Sequence, residues 1–260
     1  MSKHEKNENK KHIVIIIQCI FWLILIYSLS QIVMWYIHNK QNEKIMEEIS
    51  SSITVVNQEQ NKENEGQKEE NSYEVDLDVL KSFNNDTVAF LKVNGTQIEY
   101  PIVKTINNDY YLKHSFDKKY NAAGWIFADY KNKFDGTDKN IVIYGHNRKN
   151  GTMFSTLKKV LNRNWYEDEK NLKINLITEN DIFSYQVFSV YQIKKEEYYL
   201  QTSFKNDEMY LRFIEILKKR SIKNFNIEVN EQDQILTLST CANDNDYRIV
   251  LHAKKININK

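Results

Sequence analysis

A single proline, six glycines and two cysteines are spread over 260 residues, and each scarcity closes off a class of protein. Six glycines with no Gly-x-Gly-x-x-Gly or Walker spacing leave no loop to cradle phosphates. Two cysteines, of which Cys19 lies inside an apolar run, exclude a disulfide framework and leave Cys241 as the one thiol of the remaining chain. Charge of one sign is missing too: 36 Lys and Arg against 35 Asp and Glu give a net charge of +1, so no nucleic-acid surface is expected. His4, His12, His38, His114 and His252 have no carboxylate or thiol companions at ligand spacing, so a zinc site is not expected.

What the chain does have begins with an apolar run from Ile13 to Ile37, broken only by Gln18, Ser28, Ser30 and Gln31. As a helix rising ~1.5 Å per residue it spans the ~30 Å hydrocarbon core of a bilayer. Trp35 and Tyr36 stand at its outer end, and Lys3, Lys6, Lys10 and Lys11 precede it, which predicts a cytoplasmic tail (1–12), an anchor (13–37) and an exported remainder. A cleaved signal peptide at Ser28-Leu29-Ser30 is the rival, disfavoured because the apolar run continues past it. A buried core helix is the third reading, although few soluble helices are apolar all round. Residues 38–72 are rich in Glu, Gln, Asn and Lys and read as a stalk, with Lys40 to Ile49 able to continue the helix.

From residue 73 to 260 the pattern is globular. Val75, Leu77, Val79, Leu80 and Phe83 predict a short helix; Val88 to Val93, the turn pair Asn94-Gly95 and Gln97 to Tyr100 predict a hairpin that Pro101 ends or edges. Further strands are predicted at 124–128, 140–144, 172–177, 182–192, 235–239 and 248–256, and helices at 153–161 and 207–219. In the second helix Met209, Tyr210, Phe213, Ile214, Ile216 and Leu217 form a core-covering stripe. Many short strands with little crossover pattern make the domain mainly β, a barrel or a sandwich.

The candidate chemistry sits at strand ends. Cys241 lies just past the strand Ile235 to Ser239 and precedes a polar loop; His146 follows Ile141 to Tyr144 through the turn residue Gly145; Arg248 opens the next strand. A thiol becomes a nucleophile when an imidazole or a cation favours its thiolate. Singly, each residue has a blander reading as a small hydrophobe, a structural hydrogen bonder or a solvated cation.

The segments Thr237-Leu238-Ser239-Thr240-Cys241 with Arg248, Tyr144-Gly145-His146-Asn147, Val93 to Val103, Asn107 to Leu112, and Ala123-Gly124-Trp125-Ile126-Phe127-Ala128-Asp129-Tyr130 together resemble the sortases, and more narrowly those of class B. The resemblance covers roughly Phe90 to Lys255. It implies a closed eight-stranded sortase barrel with peripheral helices, in a single-pass membrane protein facing outward. It implies a cysteine transpeptidase in which Cys241 attacks the threonine carbonyl of a C-terminal sorting signal of the Asn-Pro-x-Thr or a related Pro-x-Thr type. His146 then serves as acid and base, Arg248 as oxyanion stabiliser or substrate clamp, and no metal or organic cofactor is implied. Asn108, Leu112 and Ser239 are implied to line the peptide groove, and the partners are surface proteins bearing such a signal and a peptidoglycan amine. A pilin-polymerising enzyme, a hydrolytic endopeptidase and a tethered peptide-binding module remain as alternatives. Two departures from the class B pattern stand out: a short loop between Cys241 and Arg248, and Arg148 where methionine is common.

Overall fold

The computed structural model describes residues 3–52, 75–148, 150–179, 181–241 and 247–256, without the side chains of residues 3–11, 52 and 241. Helix α1 (Lys3–Ser52) carries the apolar run, and its segment His12–Ser51 is long and apolar enough to cross a membrane. None of its most apolar window is buried, which removes the reading as a core helix. The chain divides into two compact units, 1–44 and 45–260. The last turns of α1 belong to the second, where Ile49 is fully buried among half-buried Ile45 and Met46. The polar stretch 38–72 is thus helical as far as Ser52; the rest of it lies outside the described residues.

The second unit continues with α2 (Leu77–Phe83), β1 (Thr87–Val93), β2 (Ile98–Val103), β3 (Phe127–Ala128), β4 (Asn140–Gly145), α3 (Arg163–Tyr166), β5 (Lys173–Ile177), β6 (Ile182–Lys194), α4 (Asp207–Arg220), β7 (Ile235–Cys241) and β8 (Tyr247–Ile256). Helix α2 starts at Leu77, leaving Val75 outside it, because the Asp76 carboxylate caps the amides of Asp78 and Val79, a contribution of about 1 kcal/mol. The strands close into a barrel in the order β1-β2-β3-β4-β7-β8-β6-β5, with β5 returning to β1.

Period-two alternation splits the hydrophobic residues between two clusters. Leu236 and Leu238 of β7 and Ile249, Leu251 and Ala253 of β8 join the barrel interior. The intervening Ile235 and Val250 meet Phe188 and Tyr191 of β6 and the buried stripe Tyr210, Phe213, Ile214, Leu217 of α4 in a second, outer cluster. Truncating a fully buried leucine of either, Leu236 or Leu217, to alanine should cost about 2–5 kcal/mol. The stripe on α4 is narrower than the sequence suggests, since Met209 and Ile216 are exposed.

Three further elements differ from expectation. Pro101 does not end β2: it pairs with Phe90 inside the strand, tolerated because β3 touches β2 only at Val103, so the proline's missing N–H breaks no ladder bond. Its carbonyl instead accepts the Trp125 indole N–H at 2.9 Å. The strand expected at 124–128 shrinks to Phe127–Ala128. The helix expected from Met153 is a 3-10 turn, Ser155–Leu161, because Met153 has a φ of 56° and bridges to Asn147.

Candidate active site

Strand register brings the candidate residues together. Parallel pairing of β4 with β7 sets Tyr144 against Ser239 and Gly145 against Thr240, so the chain leaves β4 at His146 beside the end of β7. Antiparallel pairing of β7 with β8 sets Cys241 directly across from Arg248, which is also held by Ile193 of β6 on its other side. Arg248 is thus in register with Cys241; residues 242–246 and the Cys241 side chain lie outside the described residues. A cleft of about 330 Å³ opens at these strand ends, and His146, Arg248, Thr240, Ser239, Asn108 and Leu112 all line it.

The imidazole of His146 is fixed by its Nε2–H, which donates to the Leu112 carbonyl at 3.0 Å. That bond selects the tautomer and leaves Nδ1 as the nitrogen that takes or gives a proton. Burial, above all, holds its pKa below the ordinary histidine value; the Arg148 and Arg248 cations push the same way, against the bond to Leu112, which raises it. The ring is neutral near pH 7 and, once protonated, is a stronger acid than a free imidazole. Gly124 is needed behind it: with φ at +60°, a Cβ there would sit 2.6 Å from the Tyr111 carbonyl and 2.7 Å from the His146 ring. Gly145 is needed for the same reason, because a Cβ there would lie 2.5 Å from the ring of Phe154, whose amide closes the turn onto the His146 carbonyl at 3.1 Å.

The cleft has two flanking walls. On one, the segment after β2 presents Asn108 and Leu112. The Asn108 amide donates to Asp129 Oδ2 at 2.9 Å while its Oδ1 accepts from the Tyr130 amide at 3.0 Å. Tyr144 donates to the same carboxylate oxygen at 2.7 Å, and burial raises its phenol pKa well above the usual value, with the Asp129 charge adding to the shift. Leu112 does more than line the cleft, since its carbonyl orients His146. On the other wall, the 3-10 turn Tyr198–Leu200 between β6 and α4 leans over β7, and Tyr199 and Ser239 share a hydroxyl hydrogen bond of 2.9 Å.

Asp129, Tyr144 and Thr240 belong to the site although sequence reasoning does not single them out. Tyr144 stands next to Gly145-His146, and strand alternation is signal enough for it. Asp129, only 4% exposed, is beyond such reasoning because its partners are 15 and 21 positions away in sequence. Among the described residues, no three His, Cys, Asp or Glu side chains gather as a metal centre requires.

Comparison with known proteins agrees with this geometry. The sortase domain family matches residues 91–256. Sortase B of Listeria monocytogenes is 31% identical over 90% of this chain and 92% of its own, and Sortase B of Staphylococcus aureus is 29% identical over 95% and 98%. Among solved structures, sortase B of Clostridium perfringens is 37% identical with a TM-score of 0.66 over 70% of this chain and all of its own. Sortase B of Bacillus anthracis, in a complex, is 30% identical with a TM-score of 0.71 over 86% of this chain and all of its own. With its closed barrel, its aligned strand ends and these relatives, the chain belongs to the sortase family of cysteine transpeptidases, within class B.

Proposed function

We propose that this chain cuts a C-terminal sorting signal of the Asn-Pro-x-Thr or a related Pro-x-Thr type after its threonine and joins the new carbonyl to a peptidoglycan amine. The Cys241 thiol passes its proton to His146 Nδ1, and the thiolate adds to the threonine carbonyl carbon. The C–N bond then breaks, the leaving amine takes the proton from Nδ1, and a thioester remains on Cys241. The incoming amine gives a proton to Nδ1 and attacks the thioester; the C–S bond breaks and the thiolate is released. Arg248 holds the oxyanion that forms in both halves, or a substrate carbonyl beside it. Asn108, Leu112 and Ser239 contact the signal peptide.

The observation that carries this reading is the register of three neighbouring strands, in which Cys241 pairs with Arg248 and the residue after Gly145 flanks the end of β7. Two relatives support the substrates: one solved structure is a Staphylococcus aureus sortase B–substrate complex, and another is a sortase B complexed with triglycine. The apolar part of α1 supports a single-pass anchor, with the lysines before it on the cytoplasmic side, residues 38–72 as tether and 73–260 as the exported catalytic domain.

The test uses the full chain in detergent with fluorogenic Asn-Pro-x-Thr peptides, with and without triglycine. Threonyl-triglycine product is expected, with a loss of at least ~1,000-fold in Cys241→Ala. Cleavage that persists in Cys241→Ala overturns the proposal.

A further inference from the structure

Behind the wall that carries Tyr199 runs a buried chain of hydrogen bonds that begins and ends on that wall. Asn140 Nδ2 donates to the Gln201 carbonyl at 2.9 Å, and Asn140 Oδ1 accepts the Thr237 hydroxyl proton at 2.7 Å. With that proton committed, Thr237 Oγ1 must accept from His252 Nδ1–H at 2.9 Å. The far nitrogen, His252 Nε2, then accepts from the Tyr191 hydroxyl at 2.9 Å, and Tyr191 accepts from the Tyr198 hydroxyl at 3.2 Å. Every donor in the sequence Tyr198, Tyr191, His252, Thr237, Asn140, Gln201 therefore points one way. The path crosses β6, β8, β7 and β4, the last two being the strands that lead to Cys241 and His146.

His252, Thr237 and Asn140 have no exposed surface and Tyr191 almost none, so water cannot replace the three inner bonds, from Tyr191 to His252, from His252 to Thr237 and from Thr237 to Asn140. Burial keeps His252 neutral, which lets one ring nitrogen donate and the other accept. The His252 ring packs against Phe188 and Tyr191 at centroid distances of 6.0 and 5.5 Å. At its exposed end Tyr198 lies under the Arg220 guanidinium of α4, 4.3 Å from the ring centroid, and Arg220 also pairs with Glu196 at 3.3 Å.

We propose that this circuit, with His252 at its hub, positions the Tyr198–Gln201 wall relative to strands β4 and β7, and that His252, Thr237 and Tyr198 are positioning residues for peptide recognition. The inference rests on the transpeptidase reading for its substrate but not for its geometry. Breaking the circuit frees the wall without touching the reacting atoms, so peptide affinity suffers and the chemical step does not.

The test is made on the full chain in detergent. Tyr198→Phe keeps the ring under Arg220 and removes only the first donor; Thr237→Val keeps the volume and breaks the middle; Thr237→Ser restores the hydroxyl. Amide hydrogen exchange over residues 196–201 should speed up about tenfold in Thr237→Val and by a smaller factor in Tyr198→Phe, whose bond is only half-buried, and return toward wild type in Thr237→Ser. With Asn-Pro-x-Thr peptides, KM should rise about five- to tenfold in the first two while kcat stays within twofold. Exchange unchanged over 196–201 in both overturns the inference, and so does faster exchange with an unchanged KM. Exchange is read whether or not a peptide is cut, so a failure of the transpeptidase reading shows separately, as a wild-type chain that cuts nothing.

Discussion

The two walls of the cleft are held in opposite ways. On the Asn108 side a single carboxylate, Asp129, receives Asn108, Tyr144 and the Lys131 amide. On the Tyr199 side no ionised group takes part in the circuit, and the wall is tied through hydroxyls, an amide and a neutral imidazole. A carboxylate concentrates several charge-assisted bonds on one group, so its wall depends on one residue. A neutral chain spreads its hold over four strands, so each link contributes less while the whole depends on His252 remaining uncharged.

The largest expected effect comes from the Asn108 side, because that wall also orients His146. Gly124→Ala drives a methyl group into the Tyr111 carbonyl and the His146 ring, and kcat/KM for signal peptide should fall about 100-fold, which steady-state kinetics would show. A fall of less than threefold would mean that His146 does not need this support.

Next comes Asp129→Ala, which leaves the half-buried Asn108 amide and Tyr144 hydroxyl without their shared acceptor. Stability should drop by about 2–4 kcal/mol in denaturant titration, and Asp129→Asn, which can still accept, should lose less. Equal losses in the two variants would show that charge has no part in holding this wall.

Acid should separate the walls further. Burial of His252 lowers its pKa from 6.5 to about 3. The unfolded chain therefore takes up this proton first, so the stability it confers is complete above about pH 6.5 and falls as pH drops toward about 3. The slope is about 1.4 kcal/mol per pH unit for one such proton. Unfolding free energies from urea titrations between pH 7 and 4 should fall more steeply with acid in wild type than in His252→Gln, the two slopes differing by about this value below pH 6.5; parallel curves would contradict a neutral hub. The smallest effect is electrostatic: Arg148→Gln removes one cation beside His146, so the acid limb of the kcat/KM profile should move to higher pH. A limb that stays in place would show Arg148 to be screened.

How much of this is legible in the sequence follows from the range of the interactions. Alternation and the Asn94-Gly95 pair locate the strands, because side-chain period is a local property. The position of Pro101 inside β2 is not legible, since it depends on how little of β3 lies alongside. The meeting of His146, Cys241 and Arg248 at one barrel end follows from three strand-end positions, yet their register requires the parallel β4–β7 pairing across a long crossover. His252 lacks carboxylate or thiol neighbours in the sequence, which argues against a ligand site but hides its structural part: its partners are hydroxyls 15 and 61 positions away. Met209 and Ile216 read as core in the sequence because spacing alone does not tell how wide a face the barrel covers.

The central claim is that Cys241, opposite Arg248 and beside His146, carries the peptide as a thioester. Intact-mass spectrometry of the full chain, quenched in acid after mixing with an Asn-Pro-x-Thr peptide, tests it most directly. The expected result is an adduct of the peptide's N-terminal part through threonine, mapped to Cys241, that vanishes on adding triglycine and never forms in Cys241→Ala. An adduct on any other residue, or cleavage with no adduct at any quench time in the wild type and in a slowed His146→Ala variant, would contradict it.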